Sequence, residues 1–190
     1  MSESPNPNII DADTLTGEMR PIRRVVVALG SNLGERLANL QGGIDALADT
    51  PDVWITGISP VYETEPLDCP PDSPTFLNAV VLMDTTLSAH RLLDRALAIE
   101  DAYDRDRSHG VNAPRTLDVD LIVVGDRRSD TDALRLPHPQ AHERAFVLKP
   151  WLDLEPDAEI PDMGPISVLL DKVGTDGLAR RDELVLEYDE

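Results

Sequence analysis

Cysteine is all but absent from this sequence of 190 residues. The single one, Cys69, excludes an internal disulfide and a cysteine zinc site, and between Asp68 and Pro70 it reads as an inert loop thiol. Long apolar runs are also missing. None is long enough to span a bilayer, and the N-terminus lacks a basic segment followed by an apolar core, so a cytoplasmic protein is expected. Positive charge is scarce: Lys and Arg number 17 against 36 Asp and Glu, for a net charge of −19. That balance argues against a nucleic-acid partner, whose phosphates need a basic footprint. Aromatic residues make up 4%, including only two Phe, so the places of Phe76 and Phe146 carry information. The 41% of hydrophobic residues suffices for one domain with a sizeable core.

Residues 1–20 hold Pro5, Pro7, Gly17 and scattered acids without periodicity, and are expected to be a disordered leader to one domain over 21–190. Val25-Val26-Val27-Ala28-Leu29 is a β-branched run typical of a buried central strand. Gly30-Ser31-Asn32 stops it. Gly30 is expected to supply an unusual backbone angle, and Ser31 or Asn32 to cap a helix over 33–48 that repeats Leu33, Leu37, Leu40, Ile44 and Leu47. A second strand over 53–63 contains Pro60, which makes it an edge or a bulged strand. After a proline-dense loop, a third strand over 75–83 carries Asn78 inside an apolar run. Its amide is either a buried group tied to backbone or a two-way hydrogen-bonding edge facing a flat ligand, with Phe76 on the same side. Ser88 is a good N-cap for a second helix whose stripe is Leu92, Leu93, Ala96, Ile99 and Tyr103. Strand-helix-strand repeated twice suggests an α+β, ferredoxin-like sandwich, an antiparallel sheet with both helices on one face. Residues 155–190 are expected as a peripheral tail with a short helix near 166–172.

The most informative stretch is Ala113-Pro114-Arg115-Thr116-Leu117-Asp118-Val119-Asp120-Leu121-Ile122. Apolar residues alternate with carboxylates, so in a strand Asp118 and Asp120 share a face with Cα atoms roughly 6–7 Å apart. Carboxylates that close repel unless a cation lies between them. Mg²⁺ suits such a pair, completing its octahedron with water and phosphate oxygens. Arg115, just upstream, has a planar donor fork suited to phosphate. Acidic pairs at this spacing should occur roughly seven times by chance in so acidic a chain, and Asp104/Asp106, Asp130/Asp132 and Glu155/Asp157 read as solvated surface. Asp118/Asp120 differs in interrupting the strongest apolar alternation. Taken alone, the pattern fits a metal site and a structural ion-pair network equally well.

The same ten residues resemble the signature of the 6-hydroxymethyl-7,8-dihydropterin pyrophosphokinase family. Three further segments match it in order: Gly30-Ser31-Asn32; Tyr62-Glu63-Thr64-Glu65-Pro66-Leu67; and Pro137-His138 followed by Arg144 and Phe146. The resemblance covers roughly residues 25–151. It implies transfer of diphosphate from ATP to 6-hydroxymethyl-7,8-dihydropterin, yielding the pterin diphosphate and AMP in folate biosynthesis. By match, Asp118 and Asp120 hold two Mg²⁺ ions, and Arg105, Arg115 and Asp120 are catalytic. Thr64, Leu67, Phe76, Asn78 and Phe146 bind the pterin; Glu100, Arg107, Leu121, His138 and Arg144 bind ATP. The implied partners are these two small molecules, with neither nucleic acid nor membrane. A monomer is expected, and contact with other folate-pathway enzymes stays open.

The chain also departs from the family pattern. Val111-Asn112-Ala113 precedes Pro114 where Arg-Trp-Gly is common, Leu97 stands where Gln often does, and Pro139 replaces a common Tyr. These changes bear on loop closure and ATP affinity, whereas the aspartate pair and Arg115 are intact. Two other classes therefore stay open at this point. One is a binding protein for nucleotide or pterin that has lost turnover; the other is an acidic interaction domain whose aspartates are structural.

Overall fold

The structure, a computed structural model, describes residues 20–66, 71–103 and 116–189. Five strands form the spine of one antiparallel sheet: β1 (Arg23–Ser31), β3 (Tyr62–Thr64), β4 (Phe76–Thr85), β5 (Asp118–Val124) and β10 (Leu178–Arg180), in the order β10-β3-β4-β1-β5. Strand β2 (Val53–Ile58) pairs with the far end of β4. The expected single strand over 53–63 is thus two, broken at Ser59-Pro60. The Ser59 hydroxyl accepts the Val80 amide at 2.8 Å there, and Pro60 has no N–H to continue the ladder. Among the described residues two short hairpins add further β structure, β6 (Ser129–Asp130) with β7 (Arg135–Leu136) and β8 (Glu159–Ile160) with β9 (Gly164–Pro165).

The antiparallel α+β architecture is as expected, with helices α1 (Arg36–Ala48) and α2 (Ala89–Ala102) on one face. Val25, Val27 and Leu29 of β1 pack there against Leu40, Ile44 and Leu47 of α1 and Leu92, Ala96 and Ile99 of α2. Two more helices, α3 (Ala145–Leu154) and α4 (Ile166–Val173), cover the opposite face. Val26, Ala28, Val80, Leu82 and Ile122 meet Val147, Leu148, Trp151, Ile166 and Leu169 on that side. The reason is visible in β1, whose residues from Val25 to Leu29 are buried on both parities. A strand apolar on both sides needs two covers. The segment expected as a peripheral tail supplies one of them, since Ile166 is fully buried.

Two expectations about the first turn are corrected. Gly30 lies within β1 and has no left-handed angle; Gly34, at φ 71°, makes the turn. Helix α1 starts at Arg36 with Glu35 at its N-cap and no side-chain cap. Ser31 and Asn32 are buried and turned elsewhere. Ser31 accepts from the Asn39 amide at 3.2 Å, and Asn32 donates to the Pro74 carbonyl at 3.2 Å. Ser88 caps α2 as expected, its hydroxyl accepting the Arg91 amide at 3.3 Å.

Among the described residues no helix is long and apolar enough to cross a membrane. A net charge of −19 makes the folded chain repel itself. Screening shortens that repulsion from a reach of about 10 Å at 0.1 M salt to about 3 Å at 1 M. The melting temperature should therefore rise by several degrees between 0.05 and 1 M NaCl, at about 2–4 °C per kcal/mol. A scan showing a flat or falling Tm would mean the charges are already locally balanced.

Candidate active site

Strand β5 lies at the edge of the sheet, and its alternation sets what faces where. Leu117, Val119 and Leu121 are buried in the α1/α2 core, so Asp118 and Asp120 face the α3/α4 side, both half-buried. An edge strand has backbone N–H groups without a ladder partner. The Val119 amide, between the two aspartates, is taken by Glu100 Oε1 at 3.0 Å. Glu100 is 2% exposed, so it braces the aspartate strand from inside the protein.

The same sheet face continues sideways. Asn78 of β4 stands opposite Gly30 of β1, and Gly30 stands opposite Asp118 of β5. At the usual strand spacing the Asn78 and Asp118 backbones are about 10 Å apart, with only a glycine between them. A Cβ on Gly30 would lie 3.4 Å from Asn78 Oδ1 and 3.6 Å from a Phe76 ring carbon. Gly30 therefore leaves a floor bounded by an amide, an aromatic ring and a carboxylate. Asn78 Nδ2 donates to Thr64 Oγ1 at 2.9 Å, and this bond turns its Oδ1 toward Gly30. One end of the Asn78 amide is thus tied to the protein, and the other borders the floor.

The chain returns to this face after β5. Gly125 turns it at φ 54°, and the His138 amide donates to the Ile122 carbonyl at 2.9 Å. His138 follows a cis Leu136-Pro137 bond. Arg144, at the N-cap of α3, reaches Asp120 Oδ2 at 4.0 Å and lies 5.6 Å above the Phe146 ring. It also donates to Gln140 Oε1. These contacts bring Arg144 to Asp120, although 24 positions separate them in sequence; what joins the two segments is the His138–Ile122 bond.

Burial, and secondarily the Arg144 guanidinium, lowers the His138 imidazole to about 4. It is therefore neutral near pH 7. The Gln140 amide donates to its Nδ1 at 3.2 Å, which puts the ring proton on Nε2, a donor for an anionic oxygen. The depressed value has a stability consequence. The unfolded imidazole takes up its proton near pH 6.5, so stability is present above that pH and falls as pH drops toward 4. The loss through this one group is about 3 kcal/mol. Denaturation at pH 7 and pH 4.5 should show His138→Gln losing less stability on acidification than the parent. Equal losses would assign the acid sensitivity to other groups.

Residues 26–156 match the sequence profile of the 7,8-dihydro-6-hydroxymethylpterin-pyrophosphokinase (HPPK) family. The 2-amino-4-hydroxy-6-hydroxymethyldihydropteridine pyrophosphokinase of Pseudomonas aeruginosa is 40% identical over 161 residues, covering 84% of this chain and 97% of the relative. The protein of the same name from Mycobacterium leprae is 42% identical over 152 residues, covering 74% and 76% respectively. The chain belongs to the HPPK family. It is thus an ATP-dependent diphosphotransferase of folate biosynthesis. A crystal structure of wild-type Plasmodium falciparum HPPK-DHPS with pterin and p-hydroxybenzoate shares the fold at TM-score 0.63 and 14% identity. The match covers 82% of this chain and 44% of that one, so the chain spans less than half the length of the two-part protein.

Within this HPPK-family chain the structure gathers Thr64, Phe76, Asn78, Asp118, Asp120, Arg144 and Phe146 on one sheet face, with His138 beside them. Of the two other residues expected at the nucleotide, Leu121 is buried on the opposite face, and Glu100 Oε1 accepts the Val119 amide. Leu67, Arg105, Arg107 and Arg115 lie outside the described residues, as do Val111 and Asn112. The residue that sequence reasoning misjudged is Gly30. Its signal was there in Gly30-Ser31-Asn32, but a glycine needed for close approach is written with the same letter as one needed for a turn.

Proposed function

We propose that this face performs the family reaction: the diphosphate of ATP passes to the hydroxymethyl oxygen of 6-hydroxymethyl-7,8-dihydropterin, leaving AMP. The observation that carries the reading is the row Asn78–Gly30–Asp118 across three paired strands. It supplies a hydrogen-bonding edge for a flat heterocycle, an open floor beneath it, and carboxylates where its hydroxymethyl arm would meet phosphate. Phe76 and Phe146 flank the ring, Thr64 and the Asn78 amide read its edge, and Leu67 adds a backbone contact. His138 Nε2–H and Arg144 bind phosphate oxygens; Glu100 keeps the aspartate strand in register.

The donor set fits magnesium. Two carboxylates and no nitrogen or sulfur ligand suit a hard cation that keeps water and phosphate oxygens as its other ligands. Asp118 and Asp120 would hold two Mg²⁺, which lower the pKa of a bound hydroxyl and offset charge on the phosphates. Arg115 and Arg105 neutralise charge developing on the transferred group and on AMP, and Arg107 contributes to holding ATP. The enzyme acts as a cytoplasmic monomer on two small molecules.

The test is a coupled assay of protein, ATP, Mg²⁺ and the hydroxymethyl dihydropterin. AMP and pterin diphosphate should form in equal amounts and only when pterin is present. Formation of ADP instead would refute diphosphate transfer, and binding of both ligands without turnover would mark a protein that has lost the reaction.

A further inference from the structure

Opposite the floor, on the α1/α2 side of the sheet, one guanidinium holds the two strands that carry the pterin residues. Arg36, the first residue of α1, donates from Nη1 to Glu63 Oε2 at 3.0 Å, to Thr75 Oγ1 at 2.8 Å and to the Thr75 carbonyl at 3.0 Å. Glu63 immediately precedes Thr64, and Thr75 immediately precedes Phe76. Thr64 and Phe76 are themselves paired across β3 and β4. Arg36 thus grips the neighbour of each pterin-facing residue, at the end of the ladder where the two strands part. The other Glu63 oxygen is held by Arg181 at 3.1 Å, just after β10. Asn32, 1% exposed, adds a second tie through the Pro74 carbonyl. Exposed ion pairs contribute little, but here Arg36 and Glu63 are only 29% and 25% exposed and the guanidinium also serves a hydroxyl and a carbonyl.

We propose that Arg36 is a positioning residue for the pterin. From the far face of the sheet it fixes the separation of Thr64 from Phe76 and Asn78, and so sets the width of the slot that reads the ring. This inference rests on the reading of that slot as the pterin site. Side chains one position along a strand point to opposite faces, so Arg36 acts through backbone placement and touches no substrate. The aspartates lie on β5, separated from β3 and β4 by β1, and Arg144, which pairs with Asp120, stands at the N-cap of α3 on the sheet face opposite Arg36.

The experiment is steady-state kinetics of the full chain with each substrate varied in turn, together with Tm, for the parent, Arg36→Met and Arg36→Lys. Arg36→Met, which loses all three contacts, should raise KM for the pterin about tenfold through the altered strand placement. Its kcat and its KM for ATP should stay within about twofold of the parent, because the phosphate side is untouched. Arg36→Lys should recover part of the loss, since an ammonium can meet Glu63 but lacks the planar fork that also holds Thr75. An unchanged pterin KM, or equal rises for both substrates, overturns the positioning role. Should Arg36→Met not fold, Thr75→Val removes one acceptor and keeps the ion pair, and must still raise pterin KM selectively, by about threefold. A parent protein that never turns over pterin overturns both this inference and the reading beneath it; the other negative results overturn the positioning role alone.

Discussion

Asp118→Asn should keep the fold and lose on the order of a thousandfold in kcat/KM, reading several kcal/mol of lost charge stabilisation at a tenfold per 1.36 kcal/mol. The substitution is nearly isosteric, so β5 keeps its register with β1 and the Val119 amide keeps Glu100. What changes is the charge facing the α3/α4 side. Asp118 and Asp120 are close enough to repel, and Arg144, 4.0 Å from Asp120, offsets part of that repulsion. Removing one charge should therefore leave Tm unchanged or slightly higher, while activity collapses and more Mg²⁺ is needed for half-maximal rate. This combination separates the two readings that the sequence pattern left open. A structural ion-pair role predicts a lower Tm and nearly normal turnover. Activity within tenfold of the parent would remove Asp118 from the metal site.

The legible parts of this chain are those where one period dominates. The β-branched run of β1, the alternation of β5 and the stripes of α1 and α2 each follow one repeat, and their residues are buried accordingly, except that Leu33, expected to open the α1 stripe, precedes the helix and is exposed. Helix α3 was not legible because Pro150 stands inside it and conceals the helical repeat. Missing α3 hid the second layer, although β1 already implied it by being apolar on both parities. The site was half legible. Asp118, Asp120, Phe76 and Asn78 could be placed by parity, since a strand fixes which residues share a face. Thr64 and Glu100 came from the match of motifs alone, which says which residue stands where and not which atoms face inward. The approach of Arg144 to Asp120, with Phe146 beneath its guanidinium, depends on how the chain folds back after Gly125, and no local period encodes that.

Gly30→Ala makes the opposite use of space, adding an atom where Asp118→Asn removes a charge. The added Cβ would lie 3.4 Å from Asn78 Oδ1 and 3.6 Å from Phe76, ordinary contact distances that need no movement of the protein. Gly30 lies in a strand with no left-handed angle, so alanine suits the backbone and should stabilise the fold by about 0.5–1 kcal/mol. The methyl group nevertheless stands on the floor between the amide and the carboxylate. A ring lying there must ride up, losing contact below and hydrogen-bond geometry at its edge. Crowding of this kind costs about 1–3 kcal/mol, so pterin KM should rise about tenfold or more while KM for ATP moves little. A more stable protein that binds its substrate worse is an unusual pairing, and damage to the fold cannot produce it. Pterin KM within twofold of the parent would mean the ring does not lie over Gly30, and the floor would have to be sought elsewhere on the face.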